Sequence, residues 1–258
     1  MVAAVIATVV ATAAAVGSGV AFVGTAPHGS AGPRAVAAPT TIGAREAASS
    51  TLRSDQAAAR RFDRTAHSTT DPTSIWVVVN KTHPVTPSDF RPDLAIVRGY
   101  QVAVPGARPL ERLLAAGDRR GLGLKIASAV RSYDYQLHVH AATAAGRGEA
   151  VADRLSARAG HSEHQTGLAV DLVTPADPAC DFEACFADTP AGRWLARNAA
   201  RFGFVVRYQA ATTAVTGYAP EPWHLRYVGR PLAAELRRTG VRTLEEFFVV
   251  PGGDYPNP

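Results

Sequence analysis

Two short segments of this 258-residue chain combine side chains that bind metals and move protons. The first reads Gly160-His161-Ser162-Glu163-His164-Gln165-Thr166-Gly167-Leu168-Ala169-Val170-Asp171. Gly167 breaks the chain ahead of an apolar strand, which leaves His164 in the preceding turn and Asp171 inside the strand. Along that strand Ala169, Asp171 and Val173 share one face, and Leu168, Val170 and Leu172 share the other. Both faces are otherwise apolar, so the carboxylate needs a partner to be buried there. A metal ion is one such partner, and a structural hydrogen bond is the alternative.

The second segment, Glu221-Pro222-Trp223-His224-Leu225-Arg226-Tyr227-Val228, opens with an acid and a histidine three residues apart. In a straight strand they would point to opposite faces. Pro222 cannot join a regular ladder, and a bend there would bring Glu221 back beside His224. Together the segments offer two imidazoles and a carboxylate as ligands, with a second carboxylate nearby. Catalytic zinc sites have this form, three protein ligands and a position left open for water, and other first-row metals also suit the set.

Positioning these groups requires a framework of strands and helices. Hydrophobic patterning predicts strands at Ile75–Val79, Leu124–Val130, Leu168–Val173, Phe204–Tyr208 and Trp223–Val228. It predicts helices at Leu110–Gly121, Tyr133–Gly146, Gly192–Phe202 and Leu232–Thr239. The elements do not alternate as in a doubly wound fold. An α+β class follows, a single domain with a mainly antiparallel sheet and packed helices.

The domain is expected at 74–250, with a C-terminal tail at 251–258. Residues 27–73 are rich in Ala, Ser, Thr, Gly, Pro and Arg and are read as a flexible linker. Residues 1–26 contain an uncharged run from Val2 to Val23, long enough to span a bilayer. It sits where a secretory signal would, although no Lys or Arg precedes it. Signal peptide and membrane anchor are both open, with a buried core helix as a third reading. The first two place the rest of the chain outside the cytoplasm, with membrane contact only through this segment.

Cys180 and Cys185 lie in a segment rich in Asp, Pro and Ala, which reads as a loop. In an oxidising compartment they would close a small disulfide, and otherwise they are two free thiols. The net charge of +5 comes without a Lys/Arg run or an aromatic-basic stripe, so nucleic-acid binding has no support. Nothing suggests more than a monomer.

Further segments fall into a family pattern. These are Val79-Asn80-Lys81-Thr82-His83-Pro84, Arg131-Ser132-Tyr133 with Gln136, and the Ser162–Asp171 run. Trp194-Leu195 with Asn198-Ala199, Phe202-Gly203-Phe204, Thr216-Gly217-Tyr218 before Glu221-Pro222-Trp223-His224, and Leu244-Glu245-Glu246 complete it. In these motifs the chain resembles the zinc D-alanyl-D-alanine carboxypeptidases of the VanY type, within the LAS peptidase group, from about Val79 to Phe247. The resemblance implies an LAS-peptidase-like fold and one Zn2+ per chain, bound by His164, Asp171 and His224. It implies Glu221 as general base and Arg131 as the arginine that holds substrate and steadies charge on the reacting carbonyl. Gln136 and Ser162 match positions lining the substrate pocket, and the implied substrate is a peptidoglycan stem peptide ending in D-Ala-D-Ala.

Two departures bear on substrate preference. Ser128-Ala129-Val130-Arg131-Ser132 stands where the family usually reads Ser-Gly-Tyr-Arg-Ser, and Arg207-Tyr208-Gln209 where it reads Arg-Tyr-Pro with a following Lys. L,D-carboxypeptidase, D,D-dipeptidase and wall endopeptidase activities keep the same chemistry on a different bond. A wall-binding protein without activity would not need Glu221. Among the other histidines, His161 is close enough to support the site from behind, while His28, His67, His83, His138 and His140 are expected to have no part in it. A serine hydrolase is disfavoured, because Ser162 lacks a Gly-x-Ser-x-Gly elbow.

Overall fold

The computed structural model describes residues 62–256. The apolar leader at 1–26 and most of the 27–73 segment lie outside the described residues. The described chain begins on the domain itself. The Phe62 ring stacks on Trp76 with centroids 5.4 Å apart, and Arg64 donates to the Phe247 carbonyl at 2.8 Å. At the other end Lys81 pairs with Asp254 at 2.9 Å, and Tyr255 Oη accepts from the Arg158 amide at 2.7 Å. Residues on both sides of the expected 74–250 limits therefore pack against the domain.

A hairpin comes first, β1 (Leu94–Val97) and β2 (Tyr100–Ala103), joined through Arg98-Gly99. Both turn residues have positive φ, 47° and 87°, the conformation that tight hairpins favour because its twist matches the strands. Helix α1 (Val104–Asp118) follows and buries Leu110, Leu113, Leu114 and Gly117 along one face. Strand β3 (Lys125–Ser128) leads to α2 (Tyr133–Arg147), whose N-terminus is capped by Ser132 Oγ accepting the Tyr135 amide. Then come α3 (Glu149–Leu155), a 3-10 turn at Glu163–Thr166, and β4 (Ala169–Val173). After the Cys180–Cys185 loop the chain forms α4 (Pro190–Asn198) with a 3-10 extension to Phe202, β5 (Phe204–Val206), the one-turn α5 (Thr213–Thr216) and β6 (His224–Tyr227). Helices α6 (Arg230–Thr239) and α7 (Leu244–Phe248) close the domain.

The central sheet has the order β3-β4-β6-β5, antiparallel throughout. This is the α+β arrangement read from the sequence. One core lies between the sheet and α1 and α4, built on Leu110, Leu113, Leu114, Leu172, Leu195 and Leu225, all nearly solvent-free. A second, around Trp76, Val228, Leu232, Leu236 and Phe247, packs α6 and α7 against the first described residues.

The strand expected at Ile75–Val79 does not form. Ile75 and Trp76 lie in a turn closed by the Val77 amide donating to the Ser74 carbonyl, Trp76–Val79 are deeply buried, and the carbonyls of Ile75 and Val77 accept from the Arg226 guanidinium, at 3.2 and 2.7 Å, in place of a neighbouring strand. The helix expected to start at Leu110 starts at Val104, where Pro105 is tolerated because first-turn amides have no intrahelical partner. The hairpin, α3, α5 and α7 have no counterpart among the expected elements.

Candidate functional site

The site is built across the two middle strands. Asp171 of β4 and His224 of β6 are direct partners in the antiparallel register, so their side chains leave the sheet on the same face. His164 joins them from the 3-10 turn ahead of β4. That turn ends at Gly167, whose φ of 67° is left-handed and whose hydrogen atom faces the Ala103 amide. A Cβ built there would lie 2.9 Å from that nitrogen, so the turn requires glycine.

Each histidine is oriented by a partner on its far side. His164 Nδ1 lies 2.6 Å from the Ala129 carbonyl, which only accepts, so Nδ1 carries the proton and Nε2 turns its lone pair inward. His224 Nε2 lies 3.2 Å from Glu163 Oε2 and donates to that carboxylate, which leaves Nδ1 facing inward. Nδ1 of His224 is 3.2 Å from Asp171 Oδ1 and 3.4 Å from Glu221 Oε2. Glu221 is thus brought back beside His224 despite the spacing of three. The turn is fixed by the Glu221 amide donating to the Tyr208 carbonyl and the His224 amide donating to the Glu221 carbonyl.

Charges within the site are set by burial and by one another. Burial, with Arg131 adding to it, pushes the His164 imidazole down to about 4, so the ring is neutral and available as a ligand. Burial would raise the Asp171 carboxyl, but the His164 and His224 rings override it and hold it well below the usual carboxylate range. Burial also opposes charge on His224, yet the surrounding carboxylates of Asp171, Glu163 and Glu221 hold its pKa well above that of an ordinary histidine. Burial raises the Glu221 carboxyl, only partly countered by His224.

A metal ion fits these donors. One atom each from His164, Asp171 and His224 lies within 4.8 Å of the others. His164 Nε2 and Asp171 Oδ1 are buried without a hydrogen-bond partner, a costly state for two polar atoms aimed at each other's surroundings. His224 Nδ1 faces the Asp171 and Glu221 carboxylates, the surroundings a cation would occupy. Two imidazoles and a carboxylate are a zinc donor set. Among the described residues a second trio, His140, Glu149 and Asp153, is similarly close. There, however, both Asp153 oxygens are taken, by Arg158 at 2.9 and 2.8 Å and by His140 at 3.0 Å.

The donors form the floor of a cavity of about 660 Å³ whose walls include Arg131, Ser162, Tyr208, Tyr218, Glu221 and Trp223. Arg131 Nη1 reaches Ser128 Oγ at 2.7 Å and Asp171 Oδ2 at 3.4 Å, and its Nη2 lies 3.5 Å from Ser162 Oγ. Ser162 also accepts the His164 amide at 3.3 Å and so caps the turn that carries the ligand.

Gln136 departs from its expected place in the pocket lining. It is buried behind Arg131, where its Oε1 accepts from Arg131 Nε at 2.9 Å and its Nε2 donates to the Ala157 carbonyl at 2.7 Å. Both ends of the amide are occupied, so it holds the Arg131 guanidinium in place from behind. His161 sits away from the ligands, with Nδ1 on the Asn80 carbonyl and its ring against Tyr255.

Five side chains behind the ligands, Glu163, Arg207, Arg226, Glu245 and Asn80, have no role assigned by the sequence. Glu163, wholly buried, receives Arg207 Nε at 3.0 Å and Arg226 Nη1 at 2.8 Å on one oxygen and His224 on the other. Arg207 in turn makes a bidentate pair with Glu245, both bonds 2.9 Å, and Asn80 donates to Glu245 at 3.2 Å. Such a network is the usual second layer of a metal site, fixing the orientation of the ligating ring. Its sequence signal was present: an Arg within a strand otherwise reading as core, as at Arg226, needs a buried acid.

Comparison with known proteins agrees with this geometry. The family model VanY, D-alanyl-D-alanine carboxypeptidase, matches residues 101–230. A D-alanyl-D-alanine carboxypeptidase of Enterococcus faecalis is 30% identical over 182 residues, 67% of this chain and 65% of the relative. Among solved structures, the LdcB LD-carboxypeptidase superposes with a TM-score of 0.63 at 32% identity, covering 70% of this chain and 89% of that one. A mutant of the D,D-pentapeptidase VanY from a VanB-type resistance cassette, in complex with Zn(II), gives 0.57 at 30% identity, covering 66% and 97%. VanYB in complex with D-alanine-D-alanine gives 0.58 at 30% identity, covering 67% and 96%. With its residues from β2 through the start of α6 matched to one model, and the same fold in enzymes of that name, the chain belongs to the VanY family of D-alanyl-D-alanine carboxypeptidases.

Proposed function

We propose that this protein is a zinc D-alanyl-D-alanine carboxypeptidase that removes the terminal D-Ala from peptidoglycan stem peptides. The observation that carries the proposal is the convergence of His164 Nε2, Asp171 Oδ1 and His224 Nδ1, two of them without a partner, on the floor of a cavity that also presents Glu221 and Arg131. His164, Asp171 and His224 would hold one zinc ion per chain, whose chemistry when bound is to lower the pKa of a coordinated water to about 7 and to polarise a carbonyl.

The protein's own groups then have distinct tasks. Glu221, its carboxyl raised by burial, takes a proton from the attacking water and returns it to the leaving amine. Arg131, held by Gln136 and Ser128, offers a fixed guanidinium to the free C-terminal carboxylate or to charge on the reacting carbonyl. Ser162 stands beside that guanidinium and within reach of the same substrate end. Glu163 keeps the His224 ring turned inward by accepting its Nε2 proton.

The substrate lies outside the cytoplasmic membrane, and a Cys180–Cys185 disulfide with Cα atoms 5.3 Å apart suits an oxidising compartment. An extracytoplasmic enzyme, carried or anchored by residues 1–26 and acting as a monomer, is the consistent reading. No helix among the described residues is long and apolar enough to cross a membrane. A second reading, L,D-carboxypeptidase, is favoured by the LdcB likeness. Mass spectrometry of defined muropeptides separates the two. Loss of one D-Ala from a pentapeptide supports the proposal, loss of one from a tetrapeptide moves the assignment to the second reading, and no cleavage of either rejects both.

A further inference from the structure

Phe182 lines the catalytic cavity from a loop the reaction itself does not require. It lies inside the Cys180–Cys185 ring and is 48% exposed, a large apolar side chain left facing solvent. Its φ of 59° is left-handed, a conformation unfavourable for a bulky L-residue that persists where surroundings enforce it. Those surroundings are visible. The loop is closed by the disulfide, Asp181 Oδ1 accepts the Thr174 amide at the end of β4, and the Glu183 amide donates to the Cys180 carbonyl at 3.1 Å. The ring stands edge-on to Trp223, with centroids 5.9 Å apart, and Trp223 directly precedes His224.

We infer that Phe182 is a specificity-determining residue of the proposed carboxypeptidase, an aromatic rim that packs on the substrate residues N-terminal to the scissile bond and is held in place by the Cys180–Cys185 loop. The inference rests on the carboxypeptidase reading. The leaving residue's carboxylate belongs at Arg131 and Ser162, the polar end of the cavity. A carboxypeptidase releases one residue, so all the remaining substrate must run out of the cavity on its other side. Phe182 and its partner Trp223 present apolar rings to that cavity. A rim of this kind reads the aliphatic stems of upstream side chains, and its contacts are absent from a substrate cut back to the terminal dipeptide.

The test compares an acylated pentapeptide with an acetylated D-Ala-D-Ala dipeptide, for wild type, Phe182→Ala, Phe182→Leu and the Cys180→Ser/Cys185→Ser double variant, each zinc-loaded. If wild type prefers the tetrapeptide, the same long and short pair is built on the bond it cuts. Phe182→Ala is expected to lower kcat/KM on the long substrate about tenfold more than on the short one, the scale of one apolar contact. Phe182→Leu should recover part of that selectivity, and the cysteine variant should reproduce part of the loss. Equal losses on long and short substrates, or none on either, overturn the inference while leaving the activity intact. A zinc-loaded wild type that cuts no terminal bond overturns the proposed function and this inference with it.

Discussion

Asp171 and His224 face each other across β4 and β6 as register partners, and their side chains meet with Oδ1 and Nδ1 3.2 Å apart. The strand pairing therefore does much of the work of assembling the site. Two candidate ligands are fixed by backbone hydrogen bonds, and only His164 and Glu221 depend on turns. A site built on strands holds its geometry more tightly than one built on loops.

This pairing predicts how metal is lost. His224→Ala should remove most bound zinc, because it deletes one of three ligands. Glu163→Gln should weaken zinc binding by about 10–100-fold while keeping all three, as changes behind a ligand commonly do. Competition with a chromogenic chelator measures both. Binding by His224→Ala equal to wild type would show the ligand assignment to be wrong.

Glu221→Gln should retain zinc and fold but lose activity by about 10²–10⁴-fold or more, the usual contribution of proton transfer by a positioned acid–base group. Metal analysis and kcat are measured on the same preparation. A variant that keeps wild-type turnover would remove Glu221 from the mechanism.

Arg131 and Gln136 should behave differently although they touch. Arg131→Ala should damage recognition of a terminal carboxylate, and amidating the substrate should have the same consequence for wild type. The two losses should not add, since they remove one contact. Gln136→Ala, which only frees the guanidinium to move, should give a smaller loss that still discriminates acid from amide. Equal turnover of acid and amide by wild type would reject the carboxypeptidase reading in favour of an endopeptidase.

The Arg207–Glu245 pair predicts an acid-sensitive domain. Burial would raise the Glu245 carboxyl, but Arg207 overrides it and keeps the pKa below the usual value. A depressed carboxyl contributes stability that is full above its unfolded value and is lost as pH falls through the folded one. Glu245→Gln leaves Arg207 half-paired and should cost about 3 kcal/mol at pH 7, within the range for breaking a buried pair. The difference from wild type should shrink steadily below about pH 4, where the unfolded glutamate begins to protonate. Denaturant titrations at pH 7, 5, 4 and 3 read this directly, and a difference that does not change with pH would contradict it.

The chemistry-bearing residues were more legible in the sequence than the scaffold behind them. Asp171 and His224 stood out as polar groups in apolar strands, His164 and Glu221 as the imidazole and acid in the adjoining turns, and the structure brings all four together. The sheet strands followed from short β-branched runs. What escaped was whatever depends on partners distant in sequence. Ile75–Val79 has strand composition, yet its carbonyls answer a guanidinium from Arg226, about 150 residues away. Glu163 looked like one more polar residue of a turn until Arg207 and Arg226 closed on it. Gln136 was placed in the pocket, whereas its amide is occupied at both ends behind Arg131. The β1–β2 hairpin had a signal in Gly99, a glycine at the second turn position, but Arg98 at the first is an unusual residue for left-handed φ.

The final residues of the domain reach back to its beginning. Asn80 donates both to Glu245 and to the Pro251 carbonyl, and Lys81 meets Asp254. A polypeptide made from its N-terminus holds Asn80 and Lys81 without these partners until Glu245, Pro251 and Asp254 have been added. Arg207, and through it Glu163 and the His224 ring, waits on Glu245 in the same way. The support behind the metal-binding floor is therefore in place only once Glu245 has been made. A version truncated before Leu244 should be silent, through loss of a frame that Glu245, Pro251 and Asp254 close.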